Sequence, residues 1–242
     1  MSVRVAMWSG PRNISTAMMR AFENRPDAVV VDEPLYAAYL ARTGIDHPVR
    51  EAVIASQPTD LGTAVAGLSA PLPPGRRVHY AKHMAHHVAR DMDLAWTRDF
   101  RNVLLIRDPA EVVASYVRSR ESCEPDDIGL PQQGWLLELW DEHGLDVPIL
   151  DARDFLRAPE AHLRWLCEWL GIPFTDRMLS WPPGPRDSDG VWAPHWYAAV
   201  WSSTGFAPWR PRETTTLSAH DAAVAEACRP VYEALHARRV RV

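Results

Sequence analysis

The sequence predicts an α/β protein of three layers, in which a central, mostly parallel β-sheet lies between two layers of helices. Two observations support this prediction. Short apolar stretches typical of fully buried strands alternate with segments of helical periodicity. The first strand also runs directly into a glycine-containing loop that opens a helix. The 242 residues contain no internal repeat and no long linker, so we expect a single domain over 1–242.

The individual elements follow from apolar spacing and from cap and stop residues. Short apolar runs predict strands at 3–8, 28–31, 78–81, 102–106 and 147–150. Helical spacing predicts helices at 14–25, 109–118 and 159–170, and a last one from Ser218 onward. Proline and glycine terminate these helices, and Asp108 and Ser218 are good N-caps. The last helix should bury Val224, Cys228, Val231, Tyr232 and Leu235.

The overall charge and the cysteines exclude several classes of protein. The net charge of −5 provides no general basic field, so we expect neither nucleic acid nor an anionic membrane as a partner, and any anion site must be local. Three scattered cysteines form no CxxC pair, which favours a reducing compartment. A strand begins at once after Met1, and no apolar run approaches the roughly 18 residues of a membrane span. We therefore expect a cytoplasmic protein without a signal peptide.

The loop after the first strand is a candidate phosphate site. It reads Ser9-Gly10-Pro11-Arg12-Asn13-Ile14-Ser15-Thr16. Backbone N–H groups and the positive end of a helix both favour an anion at such a junction. The segment departs from the P-loop pattern because it lacks the second glycine and carries arginine instead of lysine. A plain turn with capping hydroxyls is the alternative.

A second candidate anion site follows the fourth strand. Arg107 stands where that strand ends, and Ser115 lies two turns into the next helix. An arginine at the carboxyl end of a parallel strand is well placed to bind a phosphate above the sheet. An ion pair of Arg107 with Asp108 or Glu111 is the alternative.

Lys82 is the only lysine among 26 basic side chains, and the other 25 are arginine. A coding bias towards arginine explains the 25. Under such a bias, the surviving lysine indicates a position where a compact ammonium works and a planar guanidinium does not, and a chance survivor is the alternative.

Three motifs in this order resemble those of the sulfotransferase superfamily that uses 3′-phosphoadenosine 5′-phosphosulfate (PAPS). The loop at 11–16 resembles the 5′-phosphosulfate loop, and 105–109 with Ser115 resembles the 3′-phosphate motif. The stretch 151–174 resembles a conserved segment after the late strand of that family. Asp32-Glu33-Pro34 and 82–87 are similar to a bacterial group also seen fused to branched-chain aminotransferases. The resemblance implies the sulfotransferase fold, PAPS as co-substrate, no metal, and a small-molecule acceptor.

The resemblance implies roles for residues of the loop and of the second anion site. It assigns nucleotide binding to Gly10, Pro11, Arg12, Asn13, Ile14, Ser15, Thr16, Arg107 and Ser115. A late glycine-rich segment of cytosolic members is missing here, and Ser203, Thr204 and Gly205 are the candidates that replace it. The irregular Trp/Pro-rich segment 176–217 is expected to cover the active site, as an acceptor pocket or as a core extension.

Sulfuryl transfer to a hydroxyl or amine needs charge stabilisation on the leaving phosphate and a base for the acceptor. Arg12 and Lys82 are the expected cationic donors. Glu33 is the first candidate base and His83 the second, because each follows a strand near the loop. An ion-paired carboxylate is the alternative for Glu33, and a satisfied polar residue the alternative for His83.

Two other functions remain open from the sequence. A P-loop kinase that uses ATP and Mg²⁺ is one, since Val29 to Glu33 looks like a Walker-B strand. A non-catalytic nucleotide-binding module is the other, because the loop departs from the family pattern. His79, His83 and His87 at four-residue spacing would suit a metal only on a helix, and 78–82 reads as a strand.

Overall fold

The computed structural model describes residues 2–118, 123–210 and 216–242. Its centre is a sheet of five strands, β1 (Val3–Ser9), β2 (Ala28–Asp32), β3 (Val78–Met84), β4 (Arg101–Ile106) and β5 (Ile149–Asp151). The spatial order is β2-β3-β1-β4-β5, and every neighbouring pair is parallel. All five predicted strands are therefore present, and β3 continues three residues beyond its predicted end.

The sheet is buried on both faces, because successive side chains of each strand point in opposite directions. On β1, Val5 and Met7 pack in one apolar cluster, whereas Ala6 and Trp8 pack in another. The first cluster contains helices α1 (Ser15–Glu23) and α8 (Pro159–Leu170), and the second contains α5 (Pro109–Tyr116), α6 (Leu130–Glu142) and α11 (Ala219–Ala237). This arrangement confirms the predicted three-layer α/β/α fold.

The remaining helices were not predicted from the sequence. They are α2 (Tyr36–Thr43), α3 (Arg50–Ser56), α4 (Leu61–Ser69), α7 (Ala152–Arg157), α9 (Ala193–Trp196) and α10 (Ala198–Trp201). The long α6 was also missed, because tryptophan, leucine and glutamate alternate along it without a clear apolar stripe. No helix in the described ranges is long and apolar enough to cross a membrane.

The carboxyl ends of the strands meet at one edge of the sheet, where ligands of open α/β folds bind. Ser9 at the end of β1 lies level with Met84 of β3 and Leu105 of β4. Asp32 at the end of β2 lies level with Lys82 of β3. The phosphate loop therefore follows the central strand, and the candidate base and lysine lie to one side of it.

Candidate functional site

The loop after β1 is folded tightly against its neighbours. Arg12 adopts a left-handed backbone conformation with φ 54°, which is uncommon for a residue with a side chain. The Asn13 amide donates to the Leu105 carbonyl at 3.0 Å, and its Oδ1 accepts from the Ile14 N–H at 2.8 Å. Asn13 thus fastens the loop to the end of β4, so the residue that departs from the family pattern has a structural use here.

Gly10 is required by a close approach rather than by its backbone angles. A Cβ atom at this position would lie 2.1 Å from the carbonyl oxygen of Ile128. The turn that precedes α6 therefore closes one side of the loop, and only a glycine leaves room for it.

The loop leads into a helix whose first turn is open to an anion. No side chain caps α1 at Ile14, and no acidic residue stands in its first turn. Ser15 and Thr16 begin this helix, as predicted. The N–H groups of the first helical turn, which have no partner within the helix, and the positive helix end suit a phosphate or sulfate group.

The two predicted anion sites meet directly. The Arg12 guanidinium donates from Nε to Ser115 Oγ at 3.1 Å, and Arg107 Nη1 donates to the Arg12 carbonyl at 2.5 Å. Arg107 also pairs with Glu111 at 2.9 Å, the ion pair considered as an alternative from the sequence. Glu111 in turn accepts from Arg153 at 3.3 Å, so one carboxylate is shared between two guanidinium groups.

The described side chains around the loop carry a net positive charge. Burial lowers the pKa of Arg12, and the positive charges of Arg107 and Arg118 lower it further. Guanidinium groups in this environment repel one another, and a bound anion would relieve that repulsion. Arg12, Arg107, Arg118, Ser115 and the start of α1 therefore form a site suited to phosphate or sulfate groups.

A second polar centre lies beside the first, at the ends of β2 and β3. The Lys82 ammonium donates to Asp32 Oδ1 at 2.8 Å, to Glu33 Oε1 at 2.6 Å and to the Tyr197 hydroxyl at 2.6 Å. Tyr197 OH donates to Asp32 Oδ2 at 2.6 Å. All four residues are buried. The ion pair considered for Glu33 is thus present, and we call this group the Lys82 cluster.

The ionisation of the Lys82 cluster reflects competition between burial and pairing. Burial alone would lower the pKa of Lys82, but Asp32 and Glu33 raise it well above the usual value, so the ammonium stays charged. Burial raises the pKa of Glu33, and Lys82 opposes that rise. The pKa of Glu33 is therefore higher than that of an exposed glutamate, and a higher pKa makes the carboxylate a stronger base.

The backbone also fixes Glu33. Its φ of 42° lies in the left-handed region, and its N–H donates to the Lys82 carbonyl at 2.9 Å. The Gln57 amide donates to the Glu33 carbonyl at 3.1 Å. Such a conformation persists only where surrounding contacts enforce it, and it clusters at functional sites.

His83 lies on the opposite face of the sheet from Lys82. Its ring stacks on Trp8 with centroids 4.2 Å apart and is 1% exposed, and burial lowers its pKa to about 3. Its Nε2 is buried without a hydrogen-bond partner among the described residues, so the alternative of a satisfied polar residue is not met, and its role as a base remains a prediction. His79 and His83 belong to β3 and His87 to the turn that follows, so they do not share one helix face.

Ser203, Thr204 and Gly205 contact the chain near Trp181. Ser203 Oγ accepts from the Trp181 indole at 3.0 Å, the Thr204 carbonyl accepts from the Trp181 N–H at 3.0 Å, and Gly205 pairs with Ser180. Their predicted contact with nucleotide remains a prediction. In the same Trp/Pro-rich segment, 188–201 lies over the Lys82 cluster and supplies Tyr197; residues 211–215 lie outside the described part of the chain.

Sequence reasoning missed two members of the Lys82 cluster. Asp32 was considered as a Walker-B residue and as part of the Asp32-Glu33-Pro34 motif but was given no site role, although its position directly before Glu33 pointed to the same strand end. Tyr197 is 115 residues away from Lys82 in the chain, and no local pattern distinguishes it from the other aromatics around it. Only the fold brings it to Lys82.

Comparison with known proteins identifies the family. The sequence profile described as "Sulfotransferase domain" matches residues 3–239. Two proteins of Arabidopsis thaliana, branched-chain-amino-acid aminotransferase-like proteins 2 and 1, are 34% and 35% identical over 233 and 235 residues and cover 94% of this chain. The chain spans 40% of the length of these curated relatives.

Solved sulfotransferase structures share the fold at low sequence identity. The sulfotransferase domain from the curacin biosynthetic pathway covers 94% of this chain and 97% of its own, with TM-score 0.53 and 15% identity. The domain from the Synechococcus PCC 7002 olefin synthase covers 93% and 94%, with TM-score 0.55 and 17% identity. The sulfotransferase from Alicyclobacillus acidocaldarius covers 99% and 98%, with TM-score 0.55 and 14% identity. These structures show a shared fold, and the profile match over residues 3–239 shows that the chain belongs to the sulfotransferase domain family.

Proposed function

We propose that this chain transfers a sulfuryl group from PAPS to a hydroxyl or amine of a small-molecule acceptor. The observation that carries the proposal is the direct contact between the two anion motifs. Arg12 of the β1 loop reaches Ser115, and Arg107 reaches the Arg12 carbonyl. PAPS carries phosphate at both its 3′ and its 5′ position, so a site with two adjoining groups of anion donors suits it.

The proposed roles divide between the two polar centres. Arg12, Ser15, Thr16 and the N–H groups that open α1 hold the 5′-phosphosulfate, and Arg107 and Ser115 hold the 3′-phosphate. Preorganised donors of this kind stabilise the charge that develops on the leaving phosphate oxygen. Lys82 has all three N–H donors engaged within its cluster, so we assign it to positioning Glu33 rather than to direct contact with the nucleotide.

In the proposed reaction, Glu33 acts as the base. A lone pair of the acceptor oxygen or nitrogen forms the new bond to sulfur while the bond from sulfur to the phosphate oxygen breaks. The electron pair of the broken bond stays on that phosphate oxygen, and the acceptor proton passes to the Glu33 carboxylate. Oε1 of Glu33 is bound by Lys82, whereas Oε2 lies 3.9 Å from His87 Nε2, beyond hydrogen-bond distance. We therefore assign proton uptake to Oε2.

The structure weighs against the kinase alternative. A Walker-B aspartate must offer its carboxylate to Mg²⁺ beside the phosphates. Asp32, which would take that role, accepts hydrogen bonds from Lys82 and Tyr197 at 2.8 and 2.6 Å. Its oxygens are therefore engaged within the Lys82 cluster.

Calorimetry without Mg²⁺ tests the nucleotide. We expect 3′-phosphoadenosine 5′-phosphate (PAP) to bind more tightly than ADP, and Arg107→Ala to lose this preference by about 10- to 100-fold because charge-assisted bonds are lost. Arg42→Ala is the matched control, since Arg42 forms a surface pair with Asp91 at 2.7 Å. Preference for ADP, or binding only with Mg²⁺, would overturn the proposal in favour of the kinase.

Turnover then separates an enzyme from a binding module. Transfer of ³⁵S from labelled PAPS to a panel of phenols, alcohols and amines should be abolished by Glu33→Gln while PAP affinity is retained. Binding of PAP without transfer to any acceptor or to water would favour the non-catalytic module. We further propose a cytoplasmic location, which the free, buried state of all three cysteines supports.

A further inference from the structure

The Tyr197 hydroxyl is at the centre of the Lys82 cluster. It accepts from Lys82 Nζ at 2.6 Å and from the Trp192 indole N–H at 3.2 Å, and its proton is directed at Asp32 Oδ2 at 2.6 Å, with Glu33 Oε1 a more distant second acceptor at 3.5 Å. One donor and two acceptor positions are all that a phenol offers. Tyr197 is 5% exposed, and its hydroxyl bonds to the Lys82 cluster and to Trp192.

Tyr197 determines where the ammonium of Lys82 lies. Two of the three acceptors of Lys82, Asp32 and Glu33, come from the end of β2. The third acceptor, Tyr197, is the only one supplied from outside the sheet among the bonds of the described residues. Three acceptors around one nitrogen suit the compact ammonium and not a planar guanidinium, which accounts for a lysine in a chain that otherwise uses arginine.

The segment that carries Tyr197 is itself anchored near the site. Asp189 pairs with the buried Arg20 of α1 at 2.5 Å and accepts from the Trp201 indole at 2.9 Å. The Gly190 N–H points at Asp32 Oδ2 at 3.3 Å. Contacts on both sides of Tyr197 therefore hold the hydroxyl in place above the strand ends.

We propose that Tyr197 is a positioning residue for Glu33, acting through Lys82 and Asp32, so that Oε1 stays bound and Oε2 faces the acceptor. This inference rests on the proposed function, in which Glu33 is the base. Without the hydroxyl, the ammonium lacks one of its three acceptors and Asp32 lacks a donor. The Glu33 carboxylate can then adopt more than one orientation. A smaller fraction of the molecules therefore presents Oε2 to the acceptor.

The titratable groups that face Glu33 come from every element packed around it. They are Lys82 of β3, Asp32 of β2, Tyr197 of the covering segment and His87 of the turn after β3. Burial and the neighbouring imidazoles hold the pKa of His87 well below its usual range, so His87 stays neutral. Since the Tyr197 hydroxyl lowers the pKa of Glu33, its removal should raise that pKa.

The test is Tyr197→Phe, with Tyr232→Phe as the matched control. Tyr232 is also a buried tyrosine that donates to an aspartate, Asp151, at 3.0 Å, but it lies against β5. With PAPS and p-nitrophenol, we expect kcat of Tyr197→Phe to fall about tenfold. The acidic limb of the kcat profile should move up by about one pH unit. KM for PAPS and the affinity for PAP should match those of the native protein.

A direct titration of Glu33 tests the inference independently of the proposed function. Carboxyl ¹³C NMR of glutamate-labelled protein, with Glu33→Gln to assign the signal, reports the Glu33 pKa whether or not the protein turns over. An unchanged Glu33 titration and pH profile in Tyr197→Phe would overturn the inference. An inactive native protein whose Glu33 pKa still rises in Tyr197→Phe would overturn the proposed reaction alone. Should Tyr197→Phe fail to fold, Trp192→Phe removes the indole donor to Tyr197 together with part of a buried ring, and it should shift the titration in the same direction.

Discussion

Replacing Lys82 with methionine removes the buried cation that neutralises Asp32 and Glu33. The ammonium lies 2.8 and 2.6 Å from their carboxylates, and the side chains of Lys82 and Asp32 are 2% and 1% exposed. Removing one partner of a buried ion pair costs about 3–5 kcal/mol. In a chain of this size, 1 kcal/mol corresponds to roughly 2–4 °C in Tm. We therefore expect Lys82→Met to melt roughly 10 °C below the native protein at pH 8.

The loss of stability should depend on pH. Burial already raises the pKa of Glu33, and without the ammonium that opposes this rise the pKa increases further. When the pKa of a carboxyl is higher in the folded than in the unfolded state, its protonation stabilises the fold. This contribution is complete at pH values below the unfolded-state pKa and is lost as the pH rises through the folded-state pKa. The deficit of Lys82→Met should therefore be smallest near about pH 4 and grow towards pH 8.

Thermal unfolding followed by circular dichroism at several pH values measures this deficit. Arg42→Met is the control, because its exposed pair with Asp91 should contribute only about 0–1 kcal/mol. Equal Tm values for Lys82→Met and the native protein at pH 8 would refute the claim that Lys82 compensates two buried carboxylates. A deficit of the same size at every pH would refute the part assigned to proton uptake by Glu33.

Three further predictions concern the loop, the covering segment and the base. Gly10→Ala should lower the free energy of unfolding by about 1–3 kcal/mol and weaken PAP binding, since its Cβ would lie 2.1 Å from the Ile128 oxygen. A Tm and a PAP affinity equal to those of the native protein would contradict this. Arg20→Met should free Asp189 and speed limited proteolysis within 182–201, and an unchanged cleavage rate would show that this ion pair does not anchor the segment. Glu33→Gln should lower kcat by about 10²- to 10⁴-fold with unchanged PAP affinity by calorimetry; native turnover would exclude Glu33 as the base.

The amino-acid sequence was sufficient for the sheet, the loop that follows its first strand and the family. Strands, caps and loop motifs are local features, because apolar runs and stop residues act on neighbouring positions. The predicted helix 159–170 matches α8, and Ser218 caps α11 as expected, whereas α6 lacked a clear stripe and was missed. The single lysine, noted from the sequence as a position that requires a compact ammonium, lies at the second polar centre, and its functional role remains a prediction.

Only the tertiary structure decided what that requirement is. Lys82, Asp32 and Tyr197 come from two strands and a late irregular segment, and the contact between them depends on how distant parts of the chain pack. The same holds for His83, which follows Lys82 in the chain but points to the opposite face of the sheet and stacks on Trp8. Alternation along a strand separates neighbours, and folding joins residues more than a hundred positions apart, so the partners of a buried charge cannot be found from local patterns.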